Sequence, residues 1–156
     1  MRTLLKAVFF PAAVLTVALG SLQLDRVFGW HGIRVAWAGR LLVLAGAALI
    51  AWCWVLFAGI GEGTPHPFVA KTKRLVIVGP YRYVRNPMMW GVGSVVAGLA
   101  LWLGSAGVWL WFAATVLFVL WFVPNYEERD MERRFGEEYR QYCRQVPRWW
   151  PRLRSR

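Results

Sequence analysis

The sequence predicts an all-α membrane protein: about four transmembrane helices followed by a C-terminal amphipathic cytosolic helix. Three observations carry this reading. The 156 residues are 58% hydrophobic, with a mean hydropathy of +0.39, and the apolar residues come in long uncharged blocks. The basic residues, which set a net charge of +11, flank those blocks instead of forming a recognition surface. The last charged stretch repeats apolar residues at helical spacing. The length fits a single domain. The charge is that of a juxtamembrane surface facing anionic headgroups, and no nucleic-acid module is visible. Cys53 and Cys143, with His31 and His66, suggest neither a disulfide framework nor a metal site.

The first block, residues 7–24, holds eighteen uncharged residues after Arg2 and Lys6. It is just long enough to span. A cleaved signal peptide is the rival reading, with Ala18 and Gly20 ahead of Ser21, but the uncharged run exceeds the ~7–15 apolar residues usual there. Pro11 sits early enough in the helix to cost little. After a short connector bearing Arg26, Arg34 and Arg40, residues 41–61 form the second span, with Gly46 and neighbouring alanines suited to close helix approach. Residues 87–126 contain no charge over forty positions. That is too long for one span and enough for two, 88–104 and 107–124, turning at Gly104-Ser105-Ala106-Gly107.

Four spans place the N-terminus, the polar connector 62–87 and the C-terminus on one side. That side collects sixteen of the nineteen Lys and Arg. The positive-inside bias makes it the cytoplasm, as expected of a multi-pass protein in a bacterial-type inner membrane. Beyond Pro124, Asn125 and Glu128 have the spacing of a capping box for a helix over 125–146. Met131, Phe135, Tyr139, Tyr142 and Val146 give that helix one apolar face, and Pro147 ends it.

No nucleophile–base pair, phosphate-binding loop or dinucleotide fingerprint is present, and Gly91-Val92-Gly93 follows no strand. The chemistry gathers in two polar clusters that bracket the uncharged hairpin. Because antiparallel helices return to one face, GPYRYVRNP and NYEERD must emerge near each other. Tyr81, Arg82, Tyr83, Arg85 and Asn86 thereby meet Glu127 and Glu128. Acids bind an ammonium or ribose hydroxyls, arginine binds a carboxylate, and aromatic faces attract a sulfonium. A zwitterionic nucleotide-like cofactor fits this mix. An Arg–Glu pairing that merely pins the connector to the tail fits it equally well.

GTPHP (63–67), GPYRYVRNPMMWG (79–91) and EERDMERRFGEEYRQYCRQVPRWWP (127–151) resemble the isoprenylcysteine carboxyl methyltransferase and phospholipid methyltransferase superfamily of integral membrane enzymes. The resemblance implies a methyltransferase that uses S-adenosylmethionine at the cytosolic face, with a membrane lipid or small apolar acceptor entering from the bilayer. The family's cofactor-contacting positions fall here on Arg85, Asn86 and Pro87, on Gly91 and Gly93, and on Glu127 and Glu128. Tyr139, Tyr142 and Arg148 match the tail that closes over the cofactor. Tyr81 and Tyr83 join this cofactor-binding set, and Arg85, Asn86 and Glu127 are the residues expected to carry the reaction. Asn86 stands where histidine is common and Met89 where tyrosine is common. Asparagine cannot titrate near neutral pH, so a base at that position is not expected. Two alternatives stay open: an NADPH-dependent enzyme like the membrane sterol reductases, whose end the tail also resembles, and a non-catalytic lipid-binding protein. The acceptor's identity and the oligomeric state are not read from the sequence.

Overall fold

The computed structural model describes residues 19–62 and 72–151. All regular structure among them is helical. Helix α1 covers residues 19–28. It is followed by α2 (Ala36–Gly59), a 3-10 turn (Gly79–Arg82), α3 (Pro87–Leu103), α4 (Ala106–Phe122), a π-helical turn (Val123–Glu127), α5 (Glu128–Phe135) and α6 (Glu137–Gln145). Two helices are long and apolar enough to cross a bilayer: Ala36–Gly59 and the uninterrupted run Ala106–Phe135. Pro87–Leu103 is apolar but has only seventeen residues, about 25 Å at 1.5 Å per residue. Most of the first expected span, 7–24, and the GTPHP motif lie outside the described residues. So the described residues carry two of the four expected spans at full length.

The boundaries differ from the sequence reading in ways that have causes. Helix α2 begins at Ala36, five residues before the apolar block, and so takes in Arg40. The Arg40 guanidinium lies over the Trp102 ring at 5.4 Å, a stacking that lets a cation end an apolar helix. Asn125 does not cap a new helix. The chain passes through Pro124 without leaving helical geometry, and Asn125 Nδ2 donates back to the Trp121 carbonyl at 2.7 Å. The expected single helix over 125–146 is instead broken at Gly136, whose φ of +54° ends α5. Glycine reaches that left-handed region without a Cβ penalty. The predicted apolar face survives the break: Tyr139, Tyr142 and Val146 are buried, with Met131 and Phe135 packed against them.

The described chain forms two compact units. One comprises the described residues of Met1–Ala48 together with Gly91–Val116. Its helices approach at glycines. A Cβ on Gly39 would lie 2.6 Å from the Gly98 carbonyl oxygen, and one on Gly46 would lie 2.6 Å from that of Gly91. Val96, Ala100 and Val108 are buried at its centre. The free carbonyls at the end of α3 are met from the 32–35 stretch, where the Gly32 and Val35 amides donate to Gly104 and Leu101 at 2.8 and 3.0 Å. Buried Asp25 accepts the Gly107 amide at 2.8 Å and the Ser105 hydroxyl, capping α4 from a distant part of the chain.

The second unit comprises the described residues of Leu49–Trp90 and Leu117–Arg156. Its connector residues 75–77, an irregular stretch, separate two apolar clusters. Val76 packs with Cys53 and Tyr81, while Leu75 and Ile77 pack with Tyr139, Tyr142 and Val146. Alternation with period two is what an extended segment imposes. Arg134 Nη2 donates to the Thr72 carbonyl and fastens the connector to α5.

Replacing Gly98 by alanine puts a Cβ 2.7 Å from the Gly39 carbonyl oxygen, a backbone atom that cannot swing aside. The substitution is expected to destabilise the protein by about 1–3 kcal/mol, read as a lower unfolding temperature in detergent. Gly93→Ala, whose Cβ meets only the Phe112 ring at 3.8 Å, should leave that temperature nearly unchanged.

Candidate functional site

The connector ends in a sharp reversal that the sequence dictates. Gly79 takes φ of +59°, Pro80 starts the 3-10 turn, and Pro87 opens α3, where a missing amide costs nothing. This fixes Arg85 and Asn86 at the threshold of the helix. The Arg85 amide donates to the Pro147 carbonyl at 2.9 Å, and Asn86 Nδ2 donates to the Arg148 carbonyl at 3.2 Å. The C-terminal segment is thereby stitched along residues 85–86.

At the centre sits Glu128. Arg85 Nη1 donates to its Oε1 at 2.8 Å, and Arg148 donates from Nε to Oε1 at 2.9 Å and from Nη2 to Oε2 at 2.6 Å. The Arg148 contact is bidentate, the geometry that makes guanidinium–carboxylate pairs strong. The side chains of Arg85 and Glu128 are only 12% and 13% exposed, so their attraction is weakly screened. The hydrogen bonds to Glu128 hold Arg148 above its already high range.

Beside this network lies a cavity of about 60 Å³. Its polar wall is Arg85, Asn86, Glu127 and Glu128 with the rings of Tyr81, Tyr139 and Tyr142. Its apolar wall is Phe57, Leu75, Val76, Met88, Met89 and Met131. Burial pushes all three phenols well above their ordinary range, so they stay protonated donors. Tyr142 spends its hydroxyl on the Tyr81 carbonyl at 2.7 Å, closing the floor. Outside, Trp90 Nε1 donates to the Trp149 carbonyl at 2.8 Å and its ring sits 5.7 Å from that of Trp150.

Two groups on the cavity wall are left over. Arg85 Nε is buried with no hydrogen-bond partner. Glu127 lines the cavity with Glu128 and Asp130 as its charged neighbours, and among the described residues no cation pairs with it. An orphaned buried donor costs stability unless something accepts from it, and an unpaired partly buried carboxylate asks for a positive charge. A zwitterion supplies both. The enclosed volume is below the ~300–1,000 Å³ of a full small-molecule pocket. That is room for a small charged group, and the three flexible methionines are the wall best able to yield.

The sequence-predicted residues divide three ways. Tyr81, Arg85, Asn86, Glu127, Glu128, Tyr139 and Tyr142 line the cavity, and Arg148 joins it through Glu128. Pro87 is buried and Tyr83 is 47% exposed, and neither lines the cavity. Gly91 and Gly93 belong to the other unit, where the Gly91 carbonyl faces Gly46. Cys143 was not expected at the site. Its Sγ lies 2.8 Å from Arg85 Nη1, and its place one residue after Tyr142, next to the predicted face, was the available signal.

The phospholipid methyltransferase family model matches residues 35–138. Methanethiol S-methyltransferase 2 of Bradyrhizobium diazoefficiens is 29% identical over 145 residues, covering 86% of this chain and 51% of that protein. Methanethiol S-methyltransferase 1 of the same organism is 37% identical over 94 residues, covering 60% of this chain and 30% of that protein. An uncharacterized protein of Haemophilus influenzae is 36% identical over 55 residues, 35% of this chain and 87% of its own length. The chain therefore spans about half or less of the two methyltransferases. No solved structure gives a significant match.

Truncating Glu128 to alanine leaves two guanidiniums facing each other with no counter-charge. We expect about 3 kcal/mol of destabilisation, measured by thermal or denaturant unfolding in detergent. Tyr142→Phe, which loses only the bond to the Tyr81 carbonyl, should cost about 1 kcal/mol.

Proposed function

The chain belongs to the phospholipid methyltransferase family, and on that premise we propose that it is a membrane methyltransferase that uses S-adenosylmethionine to methylate a small apolar or lipid-borne acceptor. The observation that carries the reading is the pair of unmatched groups, Arg85 Nε and Glu127, on one apolar-walled cavity. S-adenosylmethionine, when bound, supplies a methyl group made electrophilic by a positively charged sulfur. Arg85 then holds the donor's carboxylate, with Glu128 and Arg148 fixing the guanidinium's plane. Glu127 faces the positive charge. Tyr139, a protonated phenol, stays a hydrogen-bond donor for ligand oxygens, and Asn86 keeps its carbonyl oxygen free after its amide bonds Arg148.

The remaining wall serves the acceptor. Phe57, Met88, Met89 and Met131 exclude water from the reacting atoms, which strengthens every charge interaction inside. Positioning and desolvation are the main contributions asked of this chain, because the electrophile needs no further activation. The two methanethiol S-methyltransferase relatives make a small thiol the favoured acceptor. A thiol gives up its proton as it is methylated, and Glu127 is the cavity carboxylate to which no cation is paired among the described residues. A carboxylate acceptor would need no base.

Calorimetric titration of the detergent-purified protein tests the reading. S-adenosylmethionine should bind and NADPH should not. NADPH binding would favour a reductase, and binding of neither a purely structural role for the Arg–Glu network. Glu127→Gln should weaken S-adenosylmethionine binding about 10- to 100-fold, the loss of one charged contact. Methyl transfer is then assayed from labelled donor to a short-chain thiol and to a lipid extract, with the thiol expected to be the better acceptor.

A further inference from the structure

The acidic pair occupies consecutive positions, yet both residues line the same cavity. In a regular α-helix continued from Val123 the second of them would turn away. At ~100° per residue, Glu128 stands about 140° around the helix from Val123, while Tyr126 stands about 60° from it. Val123 is fully buried, so in regular geometry Tyr126 would turn inward and Glu128 outward. The reverse is seen: Tyr126 is 54% exposed and Glu128 faces the cavity.

The widened turn Val123–Glu127 makes the difference. The Glu128 amide bonds the Val123 carbonyl, five residues back instead of four. An i→i+5 turn inserts one residue and brings Glu128 round nearly beneath Val123. The sequence supplies both parts of the device. Pro124 has no amide for the Leu120 carbonyl, and its ring crowds that carbonyl in an undistorted helix. Asn125 donates its side-chain amide to the Trp121 carbonyl at 2.7 Å, compensating an acceptor that the widened register leaves short.

We propose that Pro124 is a positioning residue for the cofactor site, and that the turn it enforces aims Glu127 and Glu128 together into the cavity. This rests on the S-adenosylmethionine reading above and adds to it the element that sets the acidic pair's phase. Pro124 touches no ligand itself. It acts through Glu128, and hence through Arg85 and Arg148.

The test is a set of titrations with S-adenosylmethionine on the full-length protein in detergent, with helicity checked by circular dichroism. Pro124→Ala restores the missing amide, lets the helix close to regular geometry, and should weaken binding at least tenfold. Asn125→Ala, which removes only the side-chain donor, should weaken it about threefold and covers the case in which Pro124→Ala does not fold. In a Glu128→Gln background, Pro124→Ala should add little, because both changes disable one contact. Additive losses would mean that the proline acts through general stability, and they would overturn the proposal. Wild-type protein that binds no S-adenosylmethionine overturns the functional reading and this one with it. Wild-type protein that binds, with both variants binding equally well, overturns the role of Pro124 alone.

Discussion

The second unit depends on one carboxylate. Glu128 accepts from Arg85 and from Arg148, and these three residues lie on the connector, α5 and the C-terminal segment. Only α5 continues a long helix, the run Ala106–Phe135, and residues 146–151 after α6 have no regular structure to hold them. Removing a carboxylate and a guanidinium from water is costly, and the attraction repays that cost only with good geometry and satisfied donors. The bidentate contact and the backbone bonds from Arg85 and Asn86 to residues 147 and 148 meet that condition. The network therefore ties two irregular pieces to the end of a long helix.

Adjacent acids with unlike surroundings follow from this. Glu128 is neutralised twice over, whereas Glu127 has acidic neighbours and no cation beside it among the described residues. Arg85 is split in the same way, with Nη1 occupied by Glu128 and Cys143 while Nε is unclaimed. One carboxylate and one edge of a guanidinium hold the structure, and the other carboxylate and the other edge are available to a ligand. In the proposed complex, protein and ligand do not compete for the same atoms.

Much of this was legible in the sequence because it rests on features that survive averaging along a helix. Uncharged runs announced α2 and the hairpin, and the return of antiparallel helices to one face brought Arg85 toward Glu128. Spacings of three and four residues named the buried tyrosines. What was missed is local. The apolar period runs straight through Gly136, so the break there left no trace in the pattern, and only the glycine hinted at it. Pro124 reads as a terminator, and a widened turn that lets a helix continue is a rarer answer to the same missing amide. Gly46 was read as a site of close helix approach, and the Gly91 carbonyl oxygen lies 2.6 Å from where its Cβ would fall.

The cap on α4 bears on how the chain is assembled. Asp25 meets Ser105 and Gly107 some eighty residues later in the chain. In a growing polypeptide the acceptor is thus made long before the amide it will satisfy. The hairpin of α3 and α4 enters an environment where its exposed helix start already has a partner waiting. Within the hairpin itself Ser105 Oγ accepts the Val108 amide at 3.0 Å, so Asp25 adds the Gly107 amide to a cap that is already begun locally. The stretch that carries Asp25 is thus synthesised some eighty residues ahead of the helix start it caps.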